Sequence, residues 1–385
     1  MMQKTMNFWR STEWRFPLIL FLFLRFGLWG WMLLVRRLIP LSTFSDGNGH
    51  PYLGILPEQN ALLEVWQRWD VLHYQLIAMH GYSATSLEPF APLYPLLIRM
   101  GAYFLGNNAL LSGLLVSSIF CLSAFFGFLA LAKMELGTQS QAQQVLLYLA
   151  FFPTAFFLFA PYSEPIYLLG AIMCIKCLRQ KKWVASGLWG IMAVCARLPG
   201  ALLILPAFYE AWMEWQKSHR KLAWISPLLI LFGSGLFPVY IWLALKLPPW
   251  AIFQAQDSTY HRSLILPGLD LWYAVKNIFS DIFPLVNGPD LVFALLFIAG
   301  TIIVWKKLPI VYSIYTTSFM VLYLSSTAFP YSLYSMSRFV MVLFPVFLIM
   351  PLLVKNQKIQ LSILCISFAG LLFCSAQFAL WGWAG

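Results

Sequence analysis

Charged side chains are scarce in this chain of 385 residues: they make up 10% of it, and only 14 residues are aspartate or glutamate. A soluble domain has about 25% charged residues, so this composition excludes an ordinary soluble protein. Hydrophobic residues make up 61% of the chain, and many stretches reach the roughly 20 apolar residues that cross a hydrocarbon core. The alternating pattern of membrane β-strands is absent from the sequence, so we predict an all-α, multi-pass integral membrane protein.

Three further features are missing, and each absence argues against a class of protein. The six cysteines all lie in hydrophobic segments, which disfavours a disulfide framework or a zinc site in a loop. Neither a glycine-rich phosphate loop nor an Asp-x-Asp pair occurs, so the sequence offers no motif for a nucleotide or a nucleotide-bound sugar. The halves of the chain show no repeat, which weighs against a secondary transporter without excluding one. We expect no cofactor, and a divalent metal is allowed but unsupported by the sequence.

The formal net charge is +11, and many of the lysines and arginines lie in short runs at 179–182, 217–221, 306–307 and 355–358. Such runs between hydrophobic segments are typical of cytoplasmic loops that face anionic lipid headgroups. The charge therefore indicates membrane lipids as partners and requires no nucleic acid. The basic N-terminal stretch places the N-terminus in the cytoplasm and the loop after the first span on the outer side.

We predict one transmembrane catalytic domain over residues 1–385, with about eleven full spans. The first outer loop covers about 38–91 and is expected to contain a helix, and the second covers about 247–288. The segment at 92–106 is short and contains two prolines, so we predict that it is re-entrant or lies flat at the membrane surface. The hydrophobic segments are 16–35, 92–106, 109–132, 144–160, 163–178, 183–197, 198–213, 222–246, 289–305, 308–329, 338–354 and 359–383.

The first outer loop has a concentration of polar and aromatic side chains at 66–82. If this stretch is helical, Asp70, His73 and Tyr74 share one face, because residues three and four apart are neighbours on a helix. That face would carry a carboxylate, an imidazole and a phenol. The same pattern also fits an amphipathic helix at the membrane interface, with aromatic rings among the lipid headgroups.

Ionisable residues within or beside predicted spans are costly in lipid and therefore mark candidate functional sites. Tyr162 and Glu164 lie at the junction of two segments. Arg197 lies between two short segments, and Arg338 begins a later one. All are predicted at the outer ends of spans, on the side of Asp70, and together they predict a site for an anionic substrate. The alternative is that Glu164 and Arg197 pair only to hold helices together.

The second outer loop adds Gln256 and, six residues later, Arg262. Arginine presents a planar fork of donors that suits phosphate oxygens, so this pair can hold a phosphate or sugar hydroxyls. Either residue fits equally well in a loop packed on its own aromatic side chains. Arg25 and Arg99 lie inside hydrophobic segments, and we expect them to extend toward a membrane interface, as long basic side chains commonly do.

A series of short motifs runs along nearly the whole chain. They are Arg68-Trp69-Asp70-x-x-His73-Tyr74, Ile77-Ala78-x-x-Gly81-Tyr82, Pro92-Leu93-Tyr94-Pro95, Tyr162-Ser163-Glu164, Ala196-Arg197-x-x-Gly200, Phe253-x-Ala255-Gln256, and Arg338 before Phe344-Pro345. Their order resembles the PIG-V family of polytopic glycosyltransferases, which belong to the GT-C class. The first motif is fairly specific, and the later ones are short. The short loops and the net charge suit a bacterial relative of this family.

The resemblance implies transfer of a hexose, with mannose as first candidate, from a polyprenyl-phosphate donor to a hydroxyl of a lipid or glycan acceptor. It implies inversion at the anomeric carbon, on the outer or lumenal face of a bacterial plasma membrane or, in a eukaryote, the endoplasmic reticulum. The acid of the first long loop would then act as general base, a role that falls on Asp70. A second group must stabilise the departing phosphate, and Arg197, Arg262 and Arg338 are all candidates.

Glu164 and His73 would orient the sugar or the acceptor, and Asp46 is a candidate second acid. The main alternative is a transporter or flippase for a lipid-linked or anionic sugar, in which Asp70 would only cap a helix. A scaffold subunit of an enzyme complex is a third hypothesis. The predicted substrate-binding residues are Arg68, Trp69, His73, Tyr74, Tyr162, Glu164, Arg197, Gln256, Arg262 and Arg338.

Overall fold

The computed structural model describes residues 14–41, 52–82, 87–279, 284–328 and 331–382, and these residues are mostly helical. The α-helices are α1 Arg15–Leu38, α2 Ala61–Glu64, α3 Asp70–His80, α4 Leu93–Phe104, α5 Ala109–Leu136, α6 Gln139–Ala150, α7 Glu164–Arg179, α8 Trp183–Ala196, α9 Ile204–Ser218, α10 Ile225–Leu245, α11 Ala251–Tyr260, α12 Leu269–Ile278, α13 Pro284–Lys307, α14 Ile310–Leu324, α15 Met336–Val340, α16 Phe344–Leu353 and α17 Gln357–Ala379. Short 3-10 helices cover Ala155–Leu158, Leu198–Leu203 and Lys221–Trp224, and the strands are β1 Arg262–Leu264 and β2 Ser326–Ala328. The predicted all-α class is confirmed.

Within the described residues, five helices are long and apolar enough to cross a membrane. Three shorter apolar helices, Trp183–Ala196, Ile310–Leu324 and Phe344–Leu353, lie within other predicted segments. The chain is therefore an integral membrane protein, while the count of about eleven spans stays a prediction. The five long stretches are Arg15–Leu38, Ala109–Leu136, Lys221–Leu243, Gly288–Lys307 and Gln357–Ala379.

Proline interrupts two segments that the sequence predicts as continuous. The 144–160 segment is divided: α6 ends shortly before Pro153, and only a 3-10 turn follows. The residue before a proline disfavours helical backbone, which ends α6 there. The 338–354 segment is also divided, into α15 and α16, with Pro345 in the first turn of α16. Arg338 therefore belongs to a short separate helix and not to the start of a span.

The 92–106 segment forms α4, which has 12 residues. At 1.5 Å per residue such a helix is about 18 Å long, too short to cross a hydrocarbon core of about 30 Å. Arg99 on this helix has an exposed side chain. The length of α4 agrees with the prediction that the 92–106 segment does not cross the membrane by itself.

The expectation that Arg25 extends to a membrane interface is wrong. The residue is only 6% exposed, and its Nη1 donates a 2.5 Å hydrogen bond to the carbonyl of Phe159. The guanidinium also lies 5.0 Å from the ring centroid of Trp29 and 5.1 Å from that of Trp66. A carbonyl and two aromatic rings stabilise the charge inside the protein, so the side chain does not need lipid headgroups.

Helix α7 lies at the centre of the fold, and nearly all of its side chains are buried. It packs against α5 and α8. At Gly170 the neighbouring helix comes so close that a Cβ atom would lie 3.0 Å from backbone atoms of Trp189 and Ala193. A helix that is apolar on all sides is one that the protein encloses. Its first residue, Glu164, is therefore carried into the interior.

Strands β1 and β2 form an antiparallel ribbon that the sequence analysis did not predict. Arg262 pairs with Ala328, Ser263 with Thr327 and Leu264 with Ser326. The ribbon connects the second outer loop, which contains β1, to the segment that follows α14. It thereby fixes the backbone of Arg262 beside the helices that carry the other candidate site residues.

Candidate active site

A chain of ion pairs links four of the predicted site residues. Arg338 donates from Nη1 to Oδ2 of Asp70 at 2.7 Å. The Nε of Arg338 donates to Oε1 of Glu164, and Nη1 of Arg197 donates to the same oxygen. We call these four residues the ion-pair cluster. They come from four separate places in the chain: α3, α7, the end of α8 and α15.

The members of the ion-pair cluster differ in exposure. The side chain of Glu164 is fully buried, that of Arg338 is 7% exposed, and that of Arg197 is 18% exposed. The Asp70 side chain is 25% exposed and is the most open of the four. Buried charges are tolerated only when they are paired, and here Arg197 and Arg338 both pair with Glu164 while Arg338 also pairs with Asp70. A ligand can therefore reach the cluster at Asp70.

The backbone before Asp70 has an uncommon conformation. Trp69 has φ 55° and ψ −126°, and Asp70 follows it as the first residue of α3. A positive φ at a bulky residue is a genuine outlier and costs about 1–3 kcal/mol, and such strain is concentrated at functional sites. The N-terminus of a helix also favours a negative charge. The Trp69 ring packs edge-on against Trp381 at 5.7 Å between centroids, which helps to hold this turn.

Two opposing effects set the charge of Asp70, which lies in the first outer loop, outside the predicted spans. Burial raises its pKa, but the positive charge of Arg338, with smaller contributions from His73 and Arg197, brings it below the ordinary value. Burial lowers the pKa of His73, although the charge of Asp70 opposes this. At neutral pH Asp70 is therefore a carboxylate and His73 a neutral imidazole.

Aromatic side chains surround the guanidinium of Arg338. It lies 4.8 Å from the ring centroid of Phe157 and 4.6 Å from that of Tyr162. The hydroxyl of Tyr74 forms a 2.9 Å hydrogen bond with the hydroxyl of Ser163. Tyr74 and Tyr162 are both nearly fully buried. The structure thus places these two tyrosines around the cluster, where they stabilise its cation and fix the start of α7.

His73 lies at the contact between the first and second outer loops. Its ring stacks on Phe90 at 4.7 Å and meets the edge of Tyr260 at 6.2 Å between centroids. Its Nδ1 is buried, and the described residues offer it no hydrogen-bond partner. Such a group is uncommon in a folded protein, so His73 remains a candidate ligand contact. Gln256 is partly exposed, one helical turn before Tyr260 on the same face of α11.

Arg262 joins this region through the ribbon. Its guanidinium lies 4.9 Å from the ring centroid of Phe339, and that of Arg197 lies 5.6 Å from the same ring. Phe339 follows Arg338 directly in the sequence. The guanidinium groups of Arg197 and Arg262 therefore both lie against Phe339, next to Arg338.

Arg68 does not join the ion-pair cluster, although it is two residues from Asp70. It is fully buried, and its Nε donates to the carbonyl of Ala379 at 3.1 Å. Its Nη2 lies 2.5 Å from Oε1 of Glu64, and its guanidinium faces the ring of Trp381 at 5.1 Å. Arg68 thus ties the first outer loop to the end of α17. Asp46, the candidate second acid, lies outside the described residues.

Two buried acids near the site were missed by the sequence analysis. Asp270 accepts the backbone N–H of Leu333 through Oδ2 at 2.6 Å, and Asp290 accepts that of Ser337 through Oδ1 at 2.8 Å. They hold the segment 331–338, which carries Arg338. Asp290 begins a hydrophobic segment, so the rule that singled out Glu164 would also have found it.

The donor set of the cluster suits guanidinium groups better than a metal. Asp70 and Glu164 both accept hydrogen bonds from arginine. Among the residues that the structure describes, no three histidine, cysteine or acidic side chains lie close enough together to hold a metal ion.

These features define an α-helical integral membrane protein with a largely buried ion-pair cluster that includes Asp70, the first residue of α3. Residues 52–257 match the family described as Mannosyltransferase (PIG-V), and this range is more than half of the chain. The chain belongs to the PIG-V mannosyltransferase family, as its motifs predicted. The matched range contains Asp70, Glu164 and Arg197, whereas Arg262 and Arg338 follow it.

Individual relatives agree with the family. The chain is similar to GPI alpha-1,6-mannosyltransferase 2 of Cricetulus griseus, with 30% identity over 216 residues, which is 54% of this chain and 42% of the relative. The protein of the same name from Mus musculus is 30% identical over 202 residues, covering 50% and 40%. The matches thus span less than half the length of these relatives. Among solved structures, ArnT from Cupriavidus metallidurans bound to undecaprenyl phosphate is 12% identical, with a TM-score of 0.46 and coverage of 96% of this chain and 75% of that one.

Proposed function

We propose that this chain is an inverting glycosyltransferase of the GT-C class with Asp70 as its general base. It transfers a hexose from a polyprenyl-phosphate donor to a hydroxyl of a lipid or glycan acceptor, and mannose is the first candidate for this hexose. The observation that carries this proposal is the state of Asp70: an ionised carboxylate, fixed by Arg338, at the most open point of the cluster. The site serves the outer or lumenal face of the membrane.

The geometry of Asp70 allows it to take a proton. Arg338 occupies Oδ2, and the described residues leave Oδ1 without a hydrogen bond. As the acceptor oxygen attacks the anomeric carbon, Oδ1 receives the hydroxyl proton. The bond from the anomeric carbon to the phosphate oxygen breaks, and the phosphate leaves with the electron pair. General base catalysis of this kind contributes about 10²- to 10⁴-fold to a rate.

Arg338 is shared between two acids, and this sharing suits a base. An arginine paired with Asp70 alone would lower the basicity of the carboxylate strongly. Because Glu164 takes part of the positive charge, Arg338 can fix the position of Asp70 without neutralising it fully. Glu164 has no access to solvent, so we assign it to positioning Arg338 and Arg197 and not to the proton transfer.

A lipid-linked donor fits the rest of the molecule. The sequence has no nucleotide-binding motif, and Arg197 directly follows α8, which is one of the apolar helices. Membership of a mannosyltransferase family supports mannose as the sugar. A departing phosphate is a good leaving group, and arginines can stabilise it.

The test is an assay of the purified protein with polyprenyl-phosphate mannose, polyprenyl-phosphate glucose and candidate acceptors, with mass spectrometry of the products. Asp70→Asn should lower the transfer rate about 10²- to 10⁴-fold, and a cooperative thermal transition would show that the variant is still folded. Asp257→Asn, at an exposed position of the second outer loop, is the matched control. Full turnover by Asp70→Asn would refute the assigned role. Movement of a labelled sugar lipid across proteoliposomes with no new glycosidic bond would instead establish a transporter.

A further inference from the structure

The three arginines of the site differ in whether an acid balances them. Arg197 and Arg338 donate to Glu164, and Arg338 also donates to Asp70. Arg262 forms no ion pair with any residue that the structure describes, and its recorded contact is the face of the Phe339 ring. Of these three positive charges, that of Arg262 is therefore the one that no acid among the described residues pairs with.

Neighbouring groups do not supply the missing negative charge. Asp270 is within electrostatic range of Arg262, but it lies beyond ion-pair distance and accepts the backbone N–H of Leu333. Burial lowers the pKa of Arg262 to about 10, and the nearby positive charges of Arg338 and Arg197 act in the same direction. Tyr334 and Asp70 oppose this shift, but Asp70 already pairs with Arg338. A bound anion would reverse this shift.

The balance of charge in the site matches one class of ligand. Three guanidinium groups and the carboxylates of Asp70 and Glu164 leave a single positive charge, because His73 is neutral. A sugar joined to a polyprenyl chain through a phosphodiester carries one negative charge at neutral pH. When the sugar leaves, the phosphate becomes a monoester and gains further negative charge, so a nearby cation binds it more strongly during the reaction than before it.

The ribbon fixes the backbone of Arg262 next to Phe339, the residue that follows Arg338. Arg262 pairs with Ala328 in the ribbon, and just after β1 the amide of Ile265 donates to the carbonyl of Ser325 at 2.8 Å. The ring of Phe339, which follows Arg338 in α15, packs against the guanidinium of Arg262. A phosphate on Arg262 would therefore lie beside the cluster that contains Asp70.

We propose that Arg262 binds the phosphate of the lipid-linked donor and stabilises the charge that develops on this phosphate as the sugar is transferred. The catalytic role of Arg262 in this inference rests on the proposed function. The binding part stands by itself, because a polyprenyl phosphate without sugar is also a ligand of the same site. Arg197 and Arg338 are then positioning residues for Glu164 and Asp70.

The experiment measures binding of polyprenyl phosphate to the full-length protein in detergent or nanodiscs, together with its inhibition of transfer. Arg262→Gln should weaken binding at least tenfold and lower kcat about 10²- to 10³-fold, the loss expected for one donor to a developing anion. Arg262→Lys should recover part of both, because it keeps the charge but not the fork. Arg99→Gln, which removes an exposed arginine of α4, should behave as the wild type.

Two further ligands identify the source of the phosphate. Inorganic phosphate and phosphatidylglycerol, at the concentration at which polyprenyl phosphate saturates the protein, should not displace it. Displacement by either would show a general anion site and would overturn the assignment to the donor. Melting temperatures of all variants show whether the chain is folded.

The outcomes separate this inference from the proposed function. If the wild type transfers sugar and Arg262→Gln binds polyprenyl phosphate as tightly as the wild type, the role of Arg262 is wrong and the function stands. If the wild type makes no product with any donor while Arg262→Gln still loses binding, the transferase proposal fails and the phosphate site stands.

Discussion

The carboxylate of Asp70 lies 2.7 Å from Nη1 of Arg338, although 268 positions separate the two residues in the chain. The same guanidinium uses its Nε for Glu164 at the start of the central helix α7. The position of the first outer loop is thus fixed by a residue near the end of the fold. Any change that moves α15 will move the carboxylate that we assign as the base.

Glu164→Gln should destabilise the protein by about 3 kcal/mol. The carboxylate of Glu164 is fully buried and accepts from two arginines, and removing one partner of a buried pair leaves uncompensated charge. Loss of one partner of a buried ion pair costs about 3–5 kcal/mol. The low end applies here because glutamine still accepts a hydrogen bond and Arg338 still pairs with Asp70. Unfolding of the protein in detergent micelles measures the difference.

The double variant Glu164→Gln with Arg197→Gln tests the cause of this loss. If uncompensated charge is responsible, removing Arg197 as well should recover part of the stability, and the two effects will not add. Strict additivity would show that the two side chains act independently and would contradict the ion-pair cluster as an energetic unit.

The transfer rate should fall only at acidic pH, below about 5. The pKa of Asp70 is below its ordinary value in the folded protein, so the carboxylate stays ionised as the pH falls from 7 to about 5. Its contribution to stability is present above the unfolded pKa of about 3.9 and is lost as the pH falls through the lower folded value. Transfer rates and melting temperatures between pH 4 and 8 measure both effects.

His73 provides the contrast for this profile. Burial keeps its pKa below the ordinary value, so its protonation would produce a limb somewhat below pH 6.5. A limb below pH 6.5 that disappears in His73→Gln would mean that the imidazole takes the proton and that Asp70 has another role.

Much of the site was visible in the sequence because charge is so rare in this chain. Asp70, Glu164, Arg197 and Arg338 each stood out as ionisable groups beside apolar segments, and the structure brings all four into contact. The same reasoning predicted an all-helical membrane protein. It could do so because lipid leaves helices and closed barrels as the only spanning structures.

Features that depend on tertiary contacts were not predictable in this way. Arg25 looked like Arg99 in the sequence, yet only the fold could show that Phe159 and two tryptophans enclose Arg25. Arg68 belongs to the most specific motif but points away from the cluster toward Ala379. The ribbon that positions Arg262 has only three residues in each strand, too few for a recognisable pattern.

Asp290→Ala should lower kcat by about 10- to 100-fold with a small change in KM. Asp290 accepts the backbone N–H of Ser337, and the hydroxyl of Thr154 donates to the carbonyl of the same residue at 2.8 Å. Without the carboxylate, α15 loses one of these two anchors, and a displacement of Arg338 by about 1 Å can reduce a rate about 10²-fold. Steady-state kinetics at several donor concentrations separate kcat from KM.

Asp290→Asn is the matched control, because its amide oxygen can still accept from Ser337. It should keep most of the activity that Asp290→Ala loses. Equal loss in both variants would mean that the charge of Asp290, and not its hydrogen bond, matters. A wild-type kcat for Asp290→Ala would remove it from the set of positioning residues.

Gly200→Ala should destabilise the turn that carries Arg197. A Cβ atom at Gly200 would lie 2.7 Å from the backbone carbon of Ala193 and 2.7 Å from the backbone nitrogen of Val194, and α8 cannot yield easily there. Overpacking of this kind costs about 1–3 kcal/mol, and it should displace Arg197 from Glu164. Gly235→Ala, inside α10 with open space around it, is the control and should be neutral or stabilise by about 0.5–1 kcal/mol. If Gly200→Ala melts at the wild-type temperature and transfers sugar at the wild-type rate, the close approach of the two segments is not a requirement of the site.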